Sequence, residues 1–135
     1  MYGLDTNILV RYLVQDDPEQ SKLATQFIET QCTDEQPCHI NHIVLCELCW
    51  VLESNYQLVR DDISNVIEQL LQVGQLDVMG IDSVWGALND YKTSNADFSD
   101  HLIARIHQYN GCRTTMTFDK KAAHQTGFTL LRKKR

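Results

Sequence analysis

Short runs of apolar and β-branched residues alternate along this chain with longer stretches in which apolar residues recur at helical spacing. The short runs predict strands at residues 1–4, 39–43, 76–81, 114–118 and 128–131. The stretches between them predict helices, because their apolar residues are three or four positions apart and therefore share one helix face. Strands that alternate with helices are typical of an α/β fold, so we predict a mainly parallel sheet of four to five strands.

Aspartates mark the expected starts of several helices, since an N-cap aspartate accepts a hydrogen bond from a free backbone N–H of the first turn. The predicted N-caps are Asp17, Asp61 or Asp62, Asp82 and Asp97. Pro18 strengthens the prediction at Asp17, because proline suits the first helical position. A short apolar helix is also predicted over Asn7 to Val14.

The same spacing predicts which side chains of three helices are buried. These are Leu23, Ala24, Phe27 and Ile28 after Asp17, then Leu45, Leu48 and Leu52, and finally Leu102, Ile103 and Ile106 after Asp97. Glu47 lies within the second of these helices, and we expect its side chain to point away from the leucines. Asn110-Gly111 is expected to end the third helix.

Length and composition indicate one compact domain over residues 1–131, followed by a basic tail at residues 132–135. The 135 residues are 43% hydrophobic and 22% charged, with two prolines and six glycines, which is an ordinary globular balance. No apolar run approaches the roughly 20 residues of a membrane helix, and Asp5 and Arg11 interrupt any secretory signal. The five cysteines are an odd number and predict reduced thiols. We therefore expect a cytoplasmic protein without a membrane partner.

The formal net charge of −6 argues against a module that holds nucleic acid by a broad basic surface. It does not exclude a nuclease, because bound divalent cations reverse the local field around a carboxylate site. The basic tail could contact phosphates or simply solubilise the chain end, and its composition does not decide between these roles.

Four acidic residues stand where the strands of such a fold would bring them to one edge. Asp5 follows the first predicted strand and Asp119 the fourth, while Asp100 opens the helix before that strand and Glu47 lies on the helix after the second. Ligands of parallel α/β sheets bind outside the carboxyl ends of the strands. Converging carboxylates repel each other unless a cation neutralises them, and Mg²⁺ or Mn²⁺ with carboxylate ligands suits phosphodiester hydrolysis.

Taken in order, four segments of this sequence resemble the motifs of PIN domains, most closely the toxin ribonucleases of the VapC group. The segments are Leu4-Asp5-Thr6-Asn7, the helix with Glu47, Ala96-Asp97-Phe98-Ser99-Asp100-His101-Leu102-Ile103-Ala104, and Thr117-Phe118-Asp119. The resemblance runs from residue 3 to about residue 128. It implies a three-layer α/β/α fold, endoribonuclease (hydrolase) activity, a homodimer, and inhibition by a separately encoded antitoxin.

The resemblance also implies roles for particular side chains. Asp5, Glu47, Asp100 and Asp119 would be the catalytic residues and would hold one or two Mg²⁺ or Mn²⁺ ions, with Asp97 as an additional acid. Three polar residues would orient these acids or a water molecule: Thr6, Asn7 and Thr117.

Each acid also has a structural interpretation. Asp5 could be a turn residue and Glu47 part of a solvated helix face. Asp97 and Asp100 suit the positive end of a helix, and Asp119 could cap the helix that follows it. We assign Asp97 mainly to capping and Asp100 mainly to metal binding.

A zinc site is an alternative for a group of thiols and imidazoles in the middle of the chain: Cys38, His39, His42, Cys46 and Cys49. There is no second pair of ligands, so we interpret Cys46 and Cys49 as small buried side chains. Cys32 and Cys112 have no evident partner, and His101 is expected at the surface.

Two other functional classes compete with the nuclease. A phosphatase with Asp5 as nucleophile would need a second acid two residues later, where Asn7 cannot donate and recover a proton. A regulatory module could bind a cation only for stability. The particular RNA cannot be deduced, because RNA is recognised by shape and unpaired bases.

Overall fold

The computed structural model describes residues 1–134, and this part of the chain folds as two compact units. The first unit covers Met1–Met79, and the second begins at Gly80. Of the predicted tail, Arg132 to Lys134 are exposed and outside regular secondary structure, while Arg135 lies outside the described residues.

The first unit contains four helices and two strands. They are α1 (Thr6–Val14), α2 (Pro18–Gln31), β1 (Cys38–Ile40), α3 (His42–Ser54), α4 (Arg60–Leu71) and β2 (Leu76–Val78). Strands β1 and β2 are parallel, with Cys38 opposite Leu76 and Ile40 opposite Val78. The strand predicted at residues 1–4 is reduced to one parallel bridge between Gly3 and His39.

The second unit contains three helices and two strands within the described residues. They are α5 (Ile81–Lys92), α6 (Phe98–Tyr109), β3 (Thr115–Thr117), α7 (Lys120–Ala123) and β4 (Phe128–Leu130). Strands β3 and β4 are also parallel, and Thr115 lies opposite Phe128. The prediction of an α/β fold with parallel strands is therefore confirmed. The predicted sheet takes the form of two pairs of three-residue strands.

Helix starts agree with the sequence at some positions and differ at others. Asp17 caps α2, since its side chain accepts a hydrogen bond from the Gln20 N–H at 3.0 Å. The predictions for α4 and α5 are wrong, because Val59 and Gly80 occupy their N-cap positions. The acids predicted as caps instead lie in the first turns, where the positive helix end also favours them: Asp61, Asp62 and Asp82.

Two apolar side chains predicted to be buried are exposed. Leu23 is 61% exposed on α2, where Ser21, Ala24 and Ile28 form the buried face. Ile103 is 45% exposed on α6. Both leave the core because neighbouring helix positions differ by about 100° around the axis, so a residue adjacent to the buried face can point outward.

A disulfide joins the end of α2 to the start of β1. Cys32 and Cys38 are bonded, with their Cα atoms 5.1 Å apart, which lies within the range for disulfides. The prediction of reduced thiols is therefore wrong for this pair and holds only for Cys46, Cys49 and Cys112. A separation of six residues does not by itself distinguish this pair from the other possible pairs of cysteines.

No helix within residues 1–134 combines the length and the apolar character needed to span a membrane. The disulfide removes one argument for the expected cytoplasmic location, because disulfides are rare in cytosolic proteins. The cytoplasmic location stays a prediction.

Candidate active site

In the first unit, Asp5 stands at the N-cap of α1. Its Oδ1 accepts a hydrogen bond from the Thr6 N–H at 2.8 Å, so the carboxylate is held against the helix start. The preceding residue, Leu4, is buried, and its N–H donates to the His39 carbonyl at 3.0 Å. The backbone on both sides of Asp5 is thereby anchored, which fixes where its side chain begins.

Glu47 is linked to Asp5 through Thr6. The Thr6 hydroxyl donates to Glu47 Oε1 at 2.9 Å, although the two residues are 41 positions apart in the chain. Thr6 is buried, while Glu47 is exposed on α3, on the side away from Leu45 and Leu48. One threonine therefore contacts both acids, through its amide and its hydroxyl.

Asp5 and Glu47 line a cavity of about 400 Å³ in the first unit. Asn7 lies on its wall without a hydrogen bond from its side chain to another residue of the described chain. Trp50 and Tyr56 also line it, and Trp50 is 66% exposed. Neither aromatic residue was predicted from the sequence. Trp50 could have been found, because it is three positions after Glu47 and outside the buried leucine stripe of α3.

A polar network borders this cavity. Tyr56 donates its hydroxyl proton to Asp16 Oδ2 at 2.8 Å, and Arg11 Nη1 donates to Asp16 Oδ1 at 3.0 Å. The hydrogen bond from Tyr56, together with Arg11, holds the pKa of Asp16 below its ordinary value. Arg11 also donates through Nε to Gln20 at 2.8 Å, so its guanidinium links α1 to α2.

In the second unit, three acids act on one another electrostatically. Asp100 lies in the first turn of α6, next to Asp97 at the N-cap, and Asp119 follows β3. Burial raises the pKa of Asp100, and the negative charges of Asp97 and Asp119 raise it further. The carboxylate of Asp100 is therefore less stable than one in water, and a positive charge beside it would be favourable.

Asp97 does not behave as the predicted cap. It occupies the N-cap position of α6, but its side chain makes no capping hydrogen bond. Asp119 does cap α7, because its Oδ1 accepts from the N–H groups of Lys121 at 2.9 Å and Ala122 at 3.3 Å. Thr117 supports Asp119 through the backbone, since its hydroxyl oxygen accepts from the Asp119 N–H at 3.0 Å.

His101 is buried rather than at the surface. Only 2% of the residue is exposed, and its Nε2 is hydrogen-bonded to the Ser94 hydroxyl. It joins Phe98 and Leu102 on the buried face of α6. The prediction of a surface position was wrong, because the polar residue type does not show that position 101 lies on the buried face of α6.

The zinc alternative is wrong. Cys38 is in the disulfide, His39 is paired with Asp77 at 2.9 Å, and the His42 ring is hydrogen-bonded to the Met79 carbonyl at 2.7 Å. Burial raises the pKa values of the two remaining thiols, Cys46 and Cys49, which disfavours the thiolate form that binds metal.

Neither unit, over residues 1–134, contains three or more His, Cys, Asp or Glu side chains arranged to hold a metal ion. Each unit holds a smaller set of oxygen donors. The first unit joins Asp5 and Glu47 through Thr6, and the second holds Asp97, Asp100 and Asp119 within electrostatic range. Hard oxygen ligands of this kind fit Mg²⁺ or Mn²⁺ better than softer metals.

Comparison with known protein families matches residues 2–127 to the PIN domain. The matched segment extends into both units and contains all eight predicted site residues: Asp5, Thr6, Asn7, Glu47, Asp97, Asp100, Thr117 and Asp119. Comparison with curated proteins gives no match. PIN domains are generally nucleases, and hence hydrolases. Because the match covers most of its length, the chain belongs to the PIN-domain family.

Proposed function

We propose that this chain is an endoribonuclease that hydrolyses RNA phosphodiester bonds with the help of Mg²⁺ or Mn²⁺. The observation that carries the proposal is membership of the PIN-domain family over residues 2–127. The acids described above supply the chemistry that such an enzyme needs. In particular, the raised pKa of Asp100 marks a place where burial and like charges favour a cation.

Asp5, Glu47, Asp100 and Asp119 would hold the metal, with Asp97 as an additional acid. When bound, the metal would neutralise phosphate charge and make a water molecule more acidic. The protein's part is to orient the carboxylates. Thr6 links Asp5 to Glu47 and Thr117 holds the backbone of Asp119, while Asn7 is an exposed amide on the wall of the same cavity as Asp5.

The proposal is tested by incubating the purified protein with RNA in Mg²⁺, in Mn²⁺ and in EDTA. We expect cleavage with either metal and none in EDTA. Asp5→Asn and Asp100→Asn should abolish cleavage, because each removes one negative charge at nearly constant shape. Asparagine is also a good N-cap, so the first variant should keep α1 intact. Cleavage by both variants at the wild-type rate would refute the assignment, and preferential cleavage of single-stranded DNA would refute RNA as substrate.

We further propose that the chain acts in the cytoplasm as the toxin of a toxin–antitoxin pair and forms a homodimer. PIN nucleases are often paired with antitoxins, which supports the first part. Expression of the wild type should arrest growth, while expression of Asp100→Asn to the same level should not. Equal growth of the two strains would count against a toxin, and a monomeric mass in sedimentation would count against the dimer.

A further inference from the structure

Positive charge is distributed very unevenly in this acidic chain. Half of its twelve Lys and Arg residues lie in residues 120–135, a segment without any Asp or Glu. They are Lys120, Lys121, Arg132, Lys133, Lys134 and Arg135. The net charge of −6 therefore conceals a cationic end. Such an asymmetry is typical of a segment that meets an anionic partner.

Part of this charge is concentrated in a cavity of about 690 Å³ in the second unit. Lys120 of α7, His124 at its end and Arg132 after β4 line the cavity, and Phe128 and Leu130 supply apolar walls. Among residues 1–134, no Asp or Glu lines it. Within residues 1–134, no side-chain hydrogen bond or ion pair occupies any of the three basic groups, so all remain able to bind an anion.

One residue that lines the cavity directly follows a proposed catalytic acid in the chain. Asp119 caps α7, and Lys120 is the first residue of that helix. The carboxylate is turned to the N–H groups of Lys121 and Ala122, whereas the Lys120 side chain lines the cavity. A strand bound at Asp119 would therefore have a basic residue of the cavity, Lys120, next to that acid in the chain.

We infer that this cavity binds the backbone phosphates of single-stranded RNA next to the bond that is cut. Lys120 supplies a point charge, Arg132 can donate two parallel hydrogen bonds to one phosphate, and His124 adds a ring N–H. Phe128 and Leu130 offer apolar surface to a ribose or base, as single-strand binding sites do. The inference rests on the proposed function, because it takes RNA as the substrate.

The test measures binding of a short fluorescein-labelled single-stranded RNA in EDTA, where the proposed cleavage is off, across a range of salt concentrations. The variant is the double substitution Lys120→Ala and Arg132→Ala. The matched control is Lys22→Ala and Arg113→Ala, which removes the same two residue types from exposed positions outside the cavity.

Losing two phosphate contacts should make the negative slope of log K against log salt shallower by about 1.4, at about 0.7 per contact on a single strand. This corresponds to roughly 25-fold weaker binding at about 0.1 M salt, with convergence on the wild type near about 1 M. The control should follow the wild type. Equal losses in both double variants, or no RNA binding by the wild type, would overturn the inference.

Two further arms separate the possible sources of failure. Binding of inorganic phosphate that is lost in the cavity variant, with RNA binding unchanged in that variant, would assign the cavity to a free anion instead. If RNA is cleaved but the cavity variant binds like the control, the subsite is wrong and the nuclease stands. If the cavity variant loses binding while no RNA is ever cleaved, the subsite stands and the nuclease falls.

Discussion

The two units differ in the forces that act on their acidic residues. In the first unit, Asp5 and Glu47 each accept a hydrogen bond from Thr6, which is a neutral donor. In the second unit, burial and the charges of Asp97 and Asp119 act against the ionised form of Asp100. The first arrangement orients carboxylates at little cost in free energy. The second destabilises the ionised form of Asp100.

This difference predicts different roles for the acids of the two units. Acids that are oriented by neutral donors define geometry, whereas an acid crowded by like charges creates the demand for a cation. Substitutions that remove charge should therefore reduce activity in both units. Removal of the Asp100 charge should also raise stability, which provides a way to test the comparison.

The largest expected effect is the loss of RNA cleavage rate that Glu47→Gln causes. The amide oxygen of glutamine can still accept the hydrogen bond from Thr6, so the substitution removes charge but not the contact. We expect the rate of RNA cleavage to fall by more than about 100-fold, as for loss of a group at the metal itself. Single-turnover cleavage assays would measure the loss.

Asp97→Asn is the matched substitution in the second unit. Its side chain makes no capping bond, so it is available to the metal environment. We expect roughly a tenfold loss of rate, in the range for groups that support metal ligands. A wild-type rate for Asp97→Asn would show that this residue does not act on the metal.

The next effect concerns the disulfide, which crosslinks only the first unit within the described residues. Cys32→Ser with Cys38→Ser should lower the free energy of unfolding by about 2 kcal/mol, the estimate for a short closed loop. Urea unfolding with and without reductant would measure it. The wild type in reductant should match the variant, and an unchanged midpoint would mean that the crosslink contributes nothing.

Local signals predicted the fold well where one segment decides the outcome. Asp17 followed by Pro18 predicted the start of α2, and the leucine spacing predicted the buried face of α3. Features that depend on distant residues were not predictable. The pairing of Cys32 with Cys38 depends on the path of the loop between them, and the burial of His101 depends on what packs around α6.

The candidate site shows the same limit. Order and context predicted acids such as Asp5 and Asp100 as site residues, and this stays a prediction. Nothing in the sequence predicted that Thr6 would bond Glu47 across 41 positions. The raised pKa of Asp100 was equally inaccessible, because burial is its largest cause. The shared role of the acids at a metal stays a prediction from the sequence.

Thr6→Val tests the link between the acids of the first unit. Valine has nearly the same shape but cannot donate to Glu47, so about 1 kcal/mol of stability should be lost, the usual contribution of one hydrogen bond. Activity should fall while metal affinity weakens, as isothermal titration with Mn²⁺ would measure. Thr6→Ser keeps the hydroxyl and should restore both. Failure of serine to restore activity would assign the effect to packing.

The smallest effect is on stability, and it distinguishes the second unit most directly. The pKa of Asp100 is higher in the folded chain than its ordinary value, so the ionised form costs free energy above the folded pKa. That cost disappears as the pH falls below the unfolded value of about 3.9, where the group is protonated in both states. Asp100→Asn should therefore be more stable than the wild type at neutral pH, by less than about 1 kcal/mol, and equal to it in acid. Thermal unfolding across this pH range without divalent metal would measure the difference. A variant less stable at neutral pH would show that the positive end of α6 outweighs burial and the charges of Asp97 and Asp119, and the two units would then hold their acids alike.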